Sequence, residues 1–266
     1  MLFYIYSEAV EAENMNRNTI ERRLRLKDML LTSGSVNSTE AAVLFSVSTE
    51  TIRKDLLLLE KQGFAKKNRG GAVASTDYIE TPFDLRNDKN VDLKIKVAKK
   101  ALDYVPEKGV ILLDAGSTIL MLAKELLSRE NLTIITNSMS VCNILLSSSN
   151  SIYITGGFVK NVTLSLVGLW ANTCLSSINI DIAFLGTSGF MNFNGPSSES
   201  FHEAEIKKKI IERSNVSIVL TDSNKCKSNA FAQYALWNEI DYLIMDQPTE
   251  SDKLQQIQQS TNVILV

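Results

Sequence analysis

Short apolar runs alternate with segments of helical period from residue 92 to the C terminus. The runs Val110–Asp114, Leu132–Thr136 and Ile180–Gly186 are typical of buried strands, and Ser117–Ser128 has the period of a helix. Apolar strands that alternate with helices predict an α/β domain with a mostly parallel sheet, covered by helices on both faces. The other predicted strands are Ser151–Thr155, Val216–Thr221, Tyr242–Met245 and Asn262–Val266, and the other helices are Lys94–Tyr104, Ser138–Ser147 and Glu203–Arg213.

The pattern before residue 76 predicts three helices followed by a hairpin. Helices are expected at Thr19–Thr32, Thr39–Ser46 and Thr49–Gly63, and a hairpin at Phe64–Val73 with Gly70-Gly71 at its turn. This order is that of a winged helix-turn-helix, in which the second helix braces the third and the third enters the major groove of DNA.

The third helix of this segment separates an apolar face from a polar face. Ile52, Leu56 and Leu59 fall at i, i+4 and i+7 and are expected to face inward, while Ser48 is placed to cap the helix. The second helix is expected to have Asn37 or Ser38 as its cap and an apolar face made of Ala41, Ala42, Leu44 and Phe45.

The charge distribution supports a nucleic-acid partner for this segment. The whole chain has a net charge of −2, but Arg17–Gly71 contains 11 Lys and Arg against 6 Asp and Glu, a net charge of +5. A basic segment attached to an acidic body is typical of a separate domain that binds a polyanion. A solvated charged face is the alternative interpretation of the charge alone.

Side chains that point away from the inward triad can reach DNA. Arg53 can make a bidentate contact with guanine or phosphate, and Lys54 can contact a phosphate. A small three-helix bundle with a charged surface is the alternative. The predicted DNA-facing residues are Thr49, Glu50, Arg53 and Lys54 on the helix and Lys66, Lys67 and Arg69 on the wing.

Four segments are predicted along the chain. Residues 1–16 form an acidic extension that is either disordered or lies ahead of the true start at Met15. Residues 17–75 form the winged helix-turn-helix domain, 76–91 a polar linker that contains Pro82, and 92–266 the α/β effector-sensing domain.

Composition limits the remaining chemistry. No apolar run approaches the roughly 20 residues needed to span a membrane, and the opening residues lack the features of a signal peptide, so a cytoplasmic protein is expected. Three distant cysteines, Cys142, Cys174 and Cys226, form no disulfide framework. The single histidine, His202, excludes a multi-histidine metal site, so neither metal nor cofactor is predicted.

Small and hydroxyl-bearing residues follow the predicted strands of the α/β domain. In parallel sheets, ligands bind beyond the carboxyl ends of the strands, and a helix start with free N–H groups favours an anion. A single turn of this kind is more often structural, but five at one end of a sheet favour a site for a polyhydroxylated anion. The turns are Asp114–Thr118, Thr136–Ser138, Gly156-Gly157, Gly186–Gly189 and Thr221–Lys225.

No function is predicted for two other polar features of the sequence. His202 precedes a predicted helix, but no paired nucleophile is identifiable, so it is expected to be a surface residue. Lys207, Lys208 and Lys209 are expected to form the exposed face of that helix.

These residues resemble the DeoR family of bacterial transcriptional regulators. The specific part is SVSTETIRKDLLLLEKQGFAKKNRGGAV, which is similar to the recognition helix and wing of the family, and DAGST, TNS, ITGG, IAFLGTSGF and TDSNK follow in the order of the family. The resemblance implies a phosphosugar-isomerase-like sensor domain and a repressor of a carbohydrate-metabolism operon. It also implies double-stranded operator DNA as partner, a phosphorylated sugar as effector and a homo-oligomer.

The resemblance also assigns residues by position. Arg86 and Lys94 fit positions of the family, but their spacing in the sequence indicates no role for them. Ser117 stands where threonine is common in the family, and Asn224 stands where serine is common. On the DNA side it implies Ser48, Thr51, Arg53, Lys54 and Arg69. The helical spacing instead makes Thr51 partly buried, with the role of bracing the helix. With Asp222 added from the strand-end pattern, the predicted effector site is Asp114, Gly116, Ser117, Thr118, Thr136, Asn137, Gly156, Gly157, Gly186, Asp222 and Lys225.

Two other functions remain open at the level of sequence. The sensor fold is similar to that of ribose-5-phosphate isomerase, so a sugar-phosphate isomerase with an added DNA-binding domain is the alternative. An isomerase needs a positioned carboxylate, and the segment Ala183–Phe190, where the enzymes have an acid-rich loop, contains no acid or base. An RNA-binding protein is less favoured because no aromatic stacking platform accompanies the basic stretch.

Overall fold

The chain divides into two compact units, Met1–Ile79 and Glu80–Val266. In a computed structural model of the protein, the residues described are 19, 21–23, 25–27, 29–30, 33–61, 65–74, 83–190, 194–228, 230, 232–247 and 251–266. The predicted extension at residues 1–16 lies outside the described residues. Among those described, no helix has both the length and the apolar composition to cross a membrane.

The first unit has the predicted order of helices. The described residues of the segment Thr19–Leu30 are helical, and they are followed by α1 (Ser38–Leu44) and α2 (Thr49–Lys61). Asn37 caps α1, because its side chain accepts hydrogen bonds from the backbone N–H groups of Thr39 and Glu40 at 2.8 and 3.3 Å. The N-cap side chain thereby satisfies two amides that have no partner within the helix.

The inward face of α2 is buried as predicted, and a charged residue joins the same interface. Ile52, Leu56 and Leu59 are buried, together with Leu26 and Leu30 of the first helix. Beside them, the buried Asp55 accepts hydrogen bonds from Arg22 at 2.7 Å and Arg23 at 2.6 Å. The two guanidinium groups neutralise the buried carboxylate and tie the first helix to α2.

The wing is a three-stranded sheet in place of the predicted two-stranded hairpin. Strand β1 (Ser35–Asn37) pairs antiparallel with β3 (Gly71–Ala74), which pairs with β2 (Ala65–Asn68). A Cβ atom at Gly71 would lie 1.9 Å from the carbonyl oxygen of Val36, so only glycine permits this approach. The expectation for Leu44 is wrong: its side chain is 61% exposed, because Ala41 and Ala42 suffice to cover the short helix.

A seven-stranded, entirely parallel sheet forms the centre of the second unit, which confirms the predicted fold class. Its strands are β4 (Gly109–Leu113), β5 (Leu132–Thr136), β6 (Ser151–Ile154), β9 (Ile180–Gly186), β12 (Ser214–Thr221), β14 (Tyr242–Met245) and β15 (Asn262–Leu265). Their order in the sheet is β15-β14-β12-β9-β4-β5-β6. The order reverses at β4, so β4 and β9 flank a topological switch point, where open α/β sheets bind their ligands.

Helices cover both faces of this sheet and enclose two apolar cores. One core contains residues of α3 (Phe83–Asn87), α4 (Val91–Ala101), α5 (Ser117–Glu125) and α6 (Met139–Leu145). The other contains residues of α7 (Leu169–Ser176), α8 (Phe201–Glu212) and α9 (Ser251–Gln258). Because both faces are buried at the centre of the sheet, β4 and β9 end in continuous apolar runs, whereas the edge strand β6 is largely exposed.

Several short elements were not predicted from the sequence. They are helices α3, α7 and α9, the hairpin of β7 (Phe158–Lys160) and β8 (Ser165–Val167), and the small sheet of β10 (Gly189–Phe190), β11 (Pro196–Ser198) and β13 (Ala232–Gln233). Strands of two or three residues are too short to show a period of two. Helix α3 lies within residues 76–91, the segment predicted as linker, and its Phe83 is buried in the core of the second unit.

Candidate functional site

Ser48 and Thr51 hold the start of α2. The Ser48 hydroxyl accepts a hydrogen bond from the Thr51 backbone N–H at 3.1 Å and lies 2.8 Å from the Thr51 hydroxyl. Thr51 is half-buried, as predicted for a bracing residue. These contacts fix the end of the helix that would enter a DNA groove.

A groove lies between α2 and the wing and carries the basic residues. Its volume is about 710 Å³, and Arg53, Lys54, Lys67 and Arg69 line it. The Lys67 backbone N–H donates to a Glu60 carboxylate oxygen at 2.7 Å, which joins the wing to the helix. The four cationic side chains are exposed, so this groove can follow a phosphate backbone.

A second cavity, of about 220 Å³, lies at the carboxyl ends of β4, β9 and β12. It contains the start of α5 together with backbone at the end of β9, at the switch point of the sheet. Six residues of the predicted effector site line it: Gly116, Ser117, Thr118, Gly186, Asp222 and Lys225.

The other five predicted effector residues do not line this cavity. Thr136 donates to the Leu113 carbonyl at 2.7 Å, and Asn137 donates to Asp114 at 3.2 Å. Gly156 and Gly157 follow β6, beyond β5.

Hairpin β7–β8 packs against the carboxyl end of β5. The Leu166 backbone N–H donates to the Asn137 carbonyl at 2.7 Å, and the Met139 backbone N–H donates to the Leu164 carbonyl at 2.9 Å. The residues that follow β5 therefore meet this hairpin, and a Cβ atom at Gly157 would lie 2.6 Å from the carbonyl oxygen of Val167 on β8.

Lys207 lines the cavity and forms a buried ion pair with Asp114. The Lys207 ammonium donates to Asp114 and, at 2.9 Å, to the Gly186 carbonyl, and it lies 5.3 Å from the centre of the Tyr234 ring. The prediction that Lys207 is exposed is therefore wrong, although Lys208 and His202 are exposed as predicted. Lys207 shares a helix face with the buried Ile210 and Glu203, and that spacing is the signal for its burial.

Glu203, one turn before Lys207, is buried and carries a charge. Its carboxylate accepts hydrogen bonds from the hydroxyls of Thr163 at 2.6 Å, Ser165 at 2.7 Å and Ser198 at 3.1 Å. Burial raises the pKa of this carboxyl, but Lys160, Lys207 and the hydroxyl donors outweigh burial and lower it to about 2. Glu203 thus stays ionised and ties β8 and β11 to α8.

Four cationic side chains gather on one wall of the cavity: Arg86, Lys89, Lys94 and Lys225. Lys94 donates to the backbone carbonyls of Arg86 and, at 2.6 Å, Lys89. Burial is the main cause that lowers the pKa of Lys94 to about 8; Asp222 opposes it, while Lys225 and Arg86 add to the lowering. Burial likewise lowers the pKa of Lys225; Asp222 and Glu199 oppose this, while Arg86 and Lys89 add to the lowering.

Two polar groups complete the wall. Asp222 accepts hydrogen bonds from the side-chain amides of Asn90 at 3.1 Å and Asn224 at 3.0 Å. Arg86 Nε is buried and has no hydrogen-bond partner among the described residues. Because the cations repel one another and one donor is unsatisfied, the wall is suited to an anion.

Comparison with known proteins identifies the family of the chain. The DeoR-like helix-turn-helix domain matches residues 22–77, and the DeoR C-terminal sensor domain matches residues 89–247. The chain belongs to the DeoR family, as the resemblance predicted, and it is a DNA-binding transcriptional regulator, not an enzyme.

The relatives are named as regulators. The chain is 35% identical to the uncharacterized HTH-type transcriptional regulator YulB of Bacillus subtilis, over 85% of this chain and 88% of that protein. It is 32% identical to the HTH-type transcriptional regulator GolR of Listeria innocua, over 85% and 90%. It is 28% identical to the glycerol-3-phosphate regulon repressor of Escherichia coli, over 86% and 91%.

Among solved structures, the chain is similar to ribose 5-phosphate isomerase A of Methanocaldococcus jannaschii. The TM-score is 0.40 with 23% sequence identity, over 52% of this chain and 55% of that chain.

Proposed function

We propose that this regulator represses a carbohydrate-metabolism operon and that a phosphorylated sugar, bound in the cavity at the strand ends, relieves repression. The observation that carries the proposal is the meeting of Arg86, Lys89, Lys94 and Lys225 with the start of α5 in one cavity. A helix start and lysines favour a phosphate, whereas carboxylates and amides can bind sugar hydroxyls.

The proposed pose follows from the charges. The phosphate lies near Ser117, Thr118 and Lys225, where it would offset the repulsion among the cations. Asp222 and Asn224 would face hydroxyl groups, because a carboxylate repels a phosphate. The name of the E. coli relative, a glycerol-3-phosphate regulon repressor, supports a phosphorylated polyol or sugar as the class of effector.

The proposed DNA contacts lie on α2 and the wing. Arg53 and Lys54 are exposed on α2, and Lys66 and Arg69 are exposed on the wing. Thr49 is half-buried in the first turn of α2, where recognition helices contact base edges. Ser48 and Thr51 would act by holding this turn in place.

An operator titration with and without effector tests the proposal. A thermal-shift screen of sugar phosphates first identifies the effector, since a ligand at 100 times its Kd adds about 2.7 kcal/mol of stability. In the wild type, that sugar phosphate should weaken operator binding by about 1–3 kcal/mol. Lys225→Ala should bind the operator normally but need more effector for the same response.

Lys208→Ala is the matched control, because it removes an exposed lysine outside the cavity. It should respond as the wild type does. A Lys225→Ala protein that responds at the wild-type effector concentration would place the effector elsewhere. Conversion of the sugar phosphate to an isomer by the purified protein would favour an enzyme instead.

A further inference from the structure

One carboxylate lies exposed among the cationic side chains of the groove between α2 and the wing. Glu50, in the first turn of α2, lines this groove together with Arg53 and Lys54, and its side chain is 64% exposed. A DNA-binding surface gains affinity from each cation that contacts a phosphate, whereas a carboxylate near the DNA backbone repels the phosphates. For affinity alone, Glu50 is therefore unfavourable.

The other carboxylate that lines the groove has a role within the fold. Glu60 accepts a hydrogen bond from the Lys67 backbone N–H at 2.7 Å and so joins the wing to α2. Among the described residues, Glu50 makes only a long ion pair, with 3.9 Å between Arg53 Nη1 and Glu50 Oε2. That distance is too long for a hydrogen bond. The acceptor capacity of the Glu50 carboxylate is thus left to water or to a partner.

The start of α2 does not depend on this charge. The Ser48 hydroxyl already caps the helix, because it accepts a hydrogen bond from the Thr51 backbone N–H at 3.1 Å. A carboxylate in the first turn also favours the helix dipole, but the effect is small for an exposed side chain and is screened by salt. Packing gives no reason for Glu50 either, since its side chain points away from the buried Ile52 and Leu56.

Glu50 and Arg53 place an acceptor beside a donor on the exposed face of α2. They are three residues apart, one turn of the helix, and both side chains are about two-thirds exposed. The N-terminal residues of a recognition helix contact base edges in the major groove. There, guanine presents two acceptors that a bidentate arginine can bind, and cytosine presents the N4 amino group, which donates to a carboxylate. The two side chains together are therefore complementary to G·C pairs.

We propose that Glu50 is a specificity-determining residue, which accepts a hydrogen bond from the N4 amino group of a cytosine in the base pair that Arg53 contacts or in the pair next to it. The inference rests on the DNA contacts proposed for α2. Thymine and guanine present acceptors in the major groove, so either base would leave the carboxylate desolvated and without a donor. Glu50 thus lowers affinity for DNA in general and discriminates against the wrong bases.

Selection of binding sites from a randomised duplex library, with the full-length protein, tests the proposal. The wild type should select a cytosine at or next to the G·C pair at which Arg53→Ala loses its preference. Glu50→Ala should lower the preference for that cytosine at least about five-fold, the lower limit for one mismatched pair. Glu50→Gln should shift the preference to adenine, because an amide binds the donor and acceptor of adenine bidentately.

Titrations of the selected duplex and a scrambled duplex distinguish base recognition from stabilisation of the helix. Glu50→Ala should bind the scrambled duplex at least as tightly as the wild type does, because it loses a charge that repels phosphates. The ratio of the two affinities should fall at least about five-fold. A Glu50 that only stabilised α2 would, when replaced, weaken binding to both duplexes by the same factor and lower the melting temperature, and that result would overturn the proposal.

A modified base tests the contact directly. The selected cytosine is replaced by 2-pyrimidinone, which is cytosine without its N4 amino group. The wild type should bind this duplex at least about five-fold more weakly than the selected duplex. Glu50→Ala should lose much less, since the group that the amino donor contacts is already absent. Equal losses for the two proteins would overturn the proposal.

Glu40→Ala is the matched control, because Glu40 is an exposed acid in the first turn of α1. It removes the same charge from the helix that crosses the DNA backbone, so the base preference should not change. If Arg53→Ala alters the base preference and Glu50→Ala does not, the DNA contacts of α2 stand and the role of Glu50 is wrong. If neither substitution alters it, recognition by α2 is itself wrong.

Discussion

Lys207 and Asp114 show how one buried residue depends on another. Burying either charge alone costs several kcal/mol, and the pair is tolerated because additional hydrogen bonds satisfy both groups. Here Gly186 supplies its carbonyl to Lys207 and its N–H to Asp114 at 3.0 Å. The pair therefore holds the end of β9 at the wall of the cavity.

Lys207→Met should lower the free energy of unfolding by about 3–5 kcal/mol, because it leaves Asp114 charged, buried and without its cation. Denaturant unfolding measures the change. Lys208→Met, which alters the exposed neighbour on the same helix, should change stability by less than about 0.5 kcal/mol. Equal effects of the two substitutions would contradict the structural role of Lys207.

Effector affinity should fall as pH rises through 8, because the folded Lys94 loses its proton near that pH and no longer attracts a phosphate. The phosphate itself keeps its charge, since its second pKa is about 6. Calorimetric titration between pH 7 and 9.5 measures this slope. An affinity that does not change over this range would contradict a phosphate position near Lys94.

The ligand-free protein should show the opposite pH dependence. The pKa of Lys94 is 10.5 in the reference state and about 8 in the fold, so the unfolded chain binds more protons between these values. Stability therefore rises with pH across this window. Denaturant unfolding without effector serves as the control for the affinity measurement.

The sequence correctly predicts which polar residues line the cavity where no other segment packs over the end of the strand. Ser117, Thr118 and Lys225 line the cavity because β4 and β12 end there. Thr136 and Asn137 do not line the cavity. They form hydrogen bonds within the fold, and a hairpin of two three-residue strands packs against them. The sequence does not assign Arg86 and Lys89 to the site, because Arg86 lies on a helix of five residues that shows no period and Lys89 lies in the irregular segment that follows this helix.

At the scale of elements, α2 combines a buried face with the face proposed to contact DNA. The positions that pack inward are apolar and recur at helical spacing, so their burial could be predicted. Strand β1 could not be predicted, because three residues show no pattern and its pairing with β3 depends on Gly71, a residue far along the chain. Long periodic elements are thus encoded locally, whereas short strands depend on tertiary contacts.

Arg53→Ala should weaken operator binding by about 1–3 kcal/mol and relax sequence preference, because a bidentate arginine distinguishes guanine from other bases. Operator and scrambled duplexes are compared at several salt concentrations. Lys54→Ala is the comparison on the same helix. It should weaken binding to both duplexes by the same factor and reduce the salt dependence of binding. Wild-type operator affinity of Arg53→Ala would refute the assignment of α2 as the recognition helix.

At the scale of the molecule, the proposed DNA contacts and the proposed effector cavity belong to different units. The proposed DNA residues all precede Ile79, and every residue that lines the cavity follows Glu80. Helix α3 begins at Phe83, shortly after this boundary, and supplies Arg86 to the cavity. A ligand that binds Arg86 would therefore contact the first helix that follows the boundary between the two units.

If the effector and the operator bind at separate sites, the effect of the effector on operator affinity should saturate. An effector in the cavity should weaken operator binding only to a plateau, set by its different affinities for the free and the DNA-bound protein. A sugar phosphate that instead competed for the basic groove would weaken binding without limit as its concentration rises. Operator affinity measured over a wide range of effector concentrations distinguishes the two, and the absence of a plateau would contradict a separate effector site.

The coupling between effector binding and operator binding must also be reciprocal. If saturating effector lowers operator affinity by a given factor, saturating operator must lower effector affinity by the same factor, because both paths connect the same four states. Calorimetric titration of the effector, with and without the operator duplex, measures this second factor, which should lie between about 5 and 150. A duplex without the operator sequence is the control, and it should leave effector affinity nearly unchanged at a salt concentration that prevents non-specific binding. Unequal factors would show that a further state, such as a change in oligomeric state on DNA, takes part in the switch.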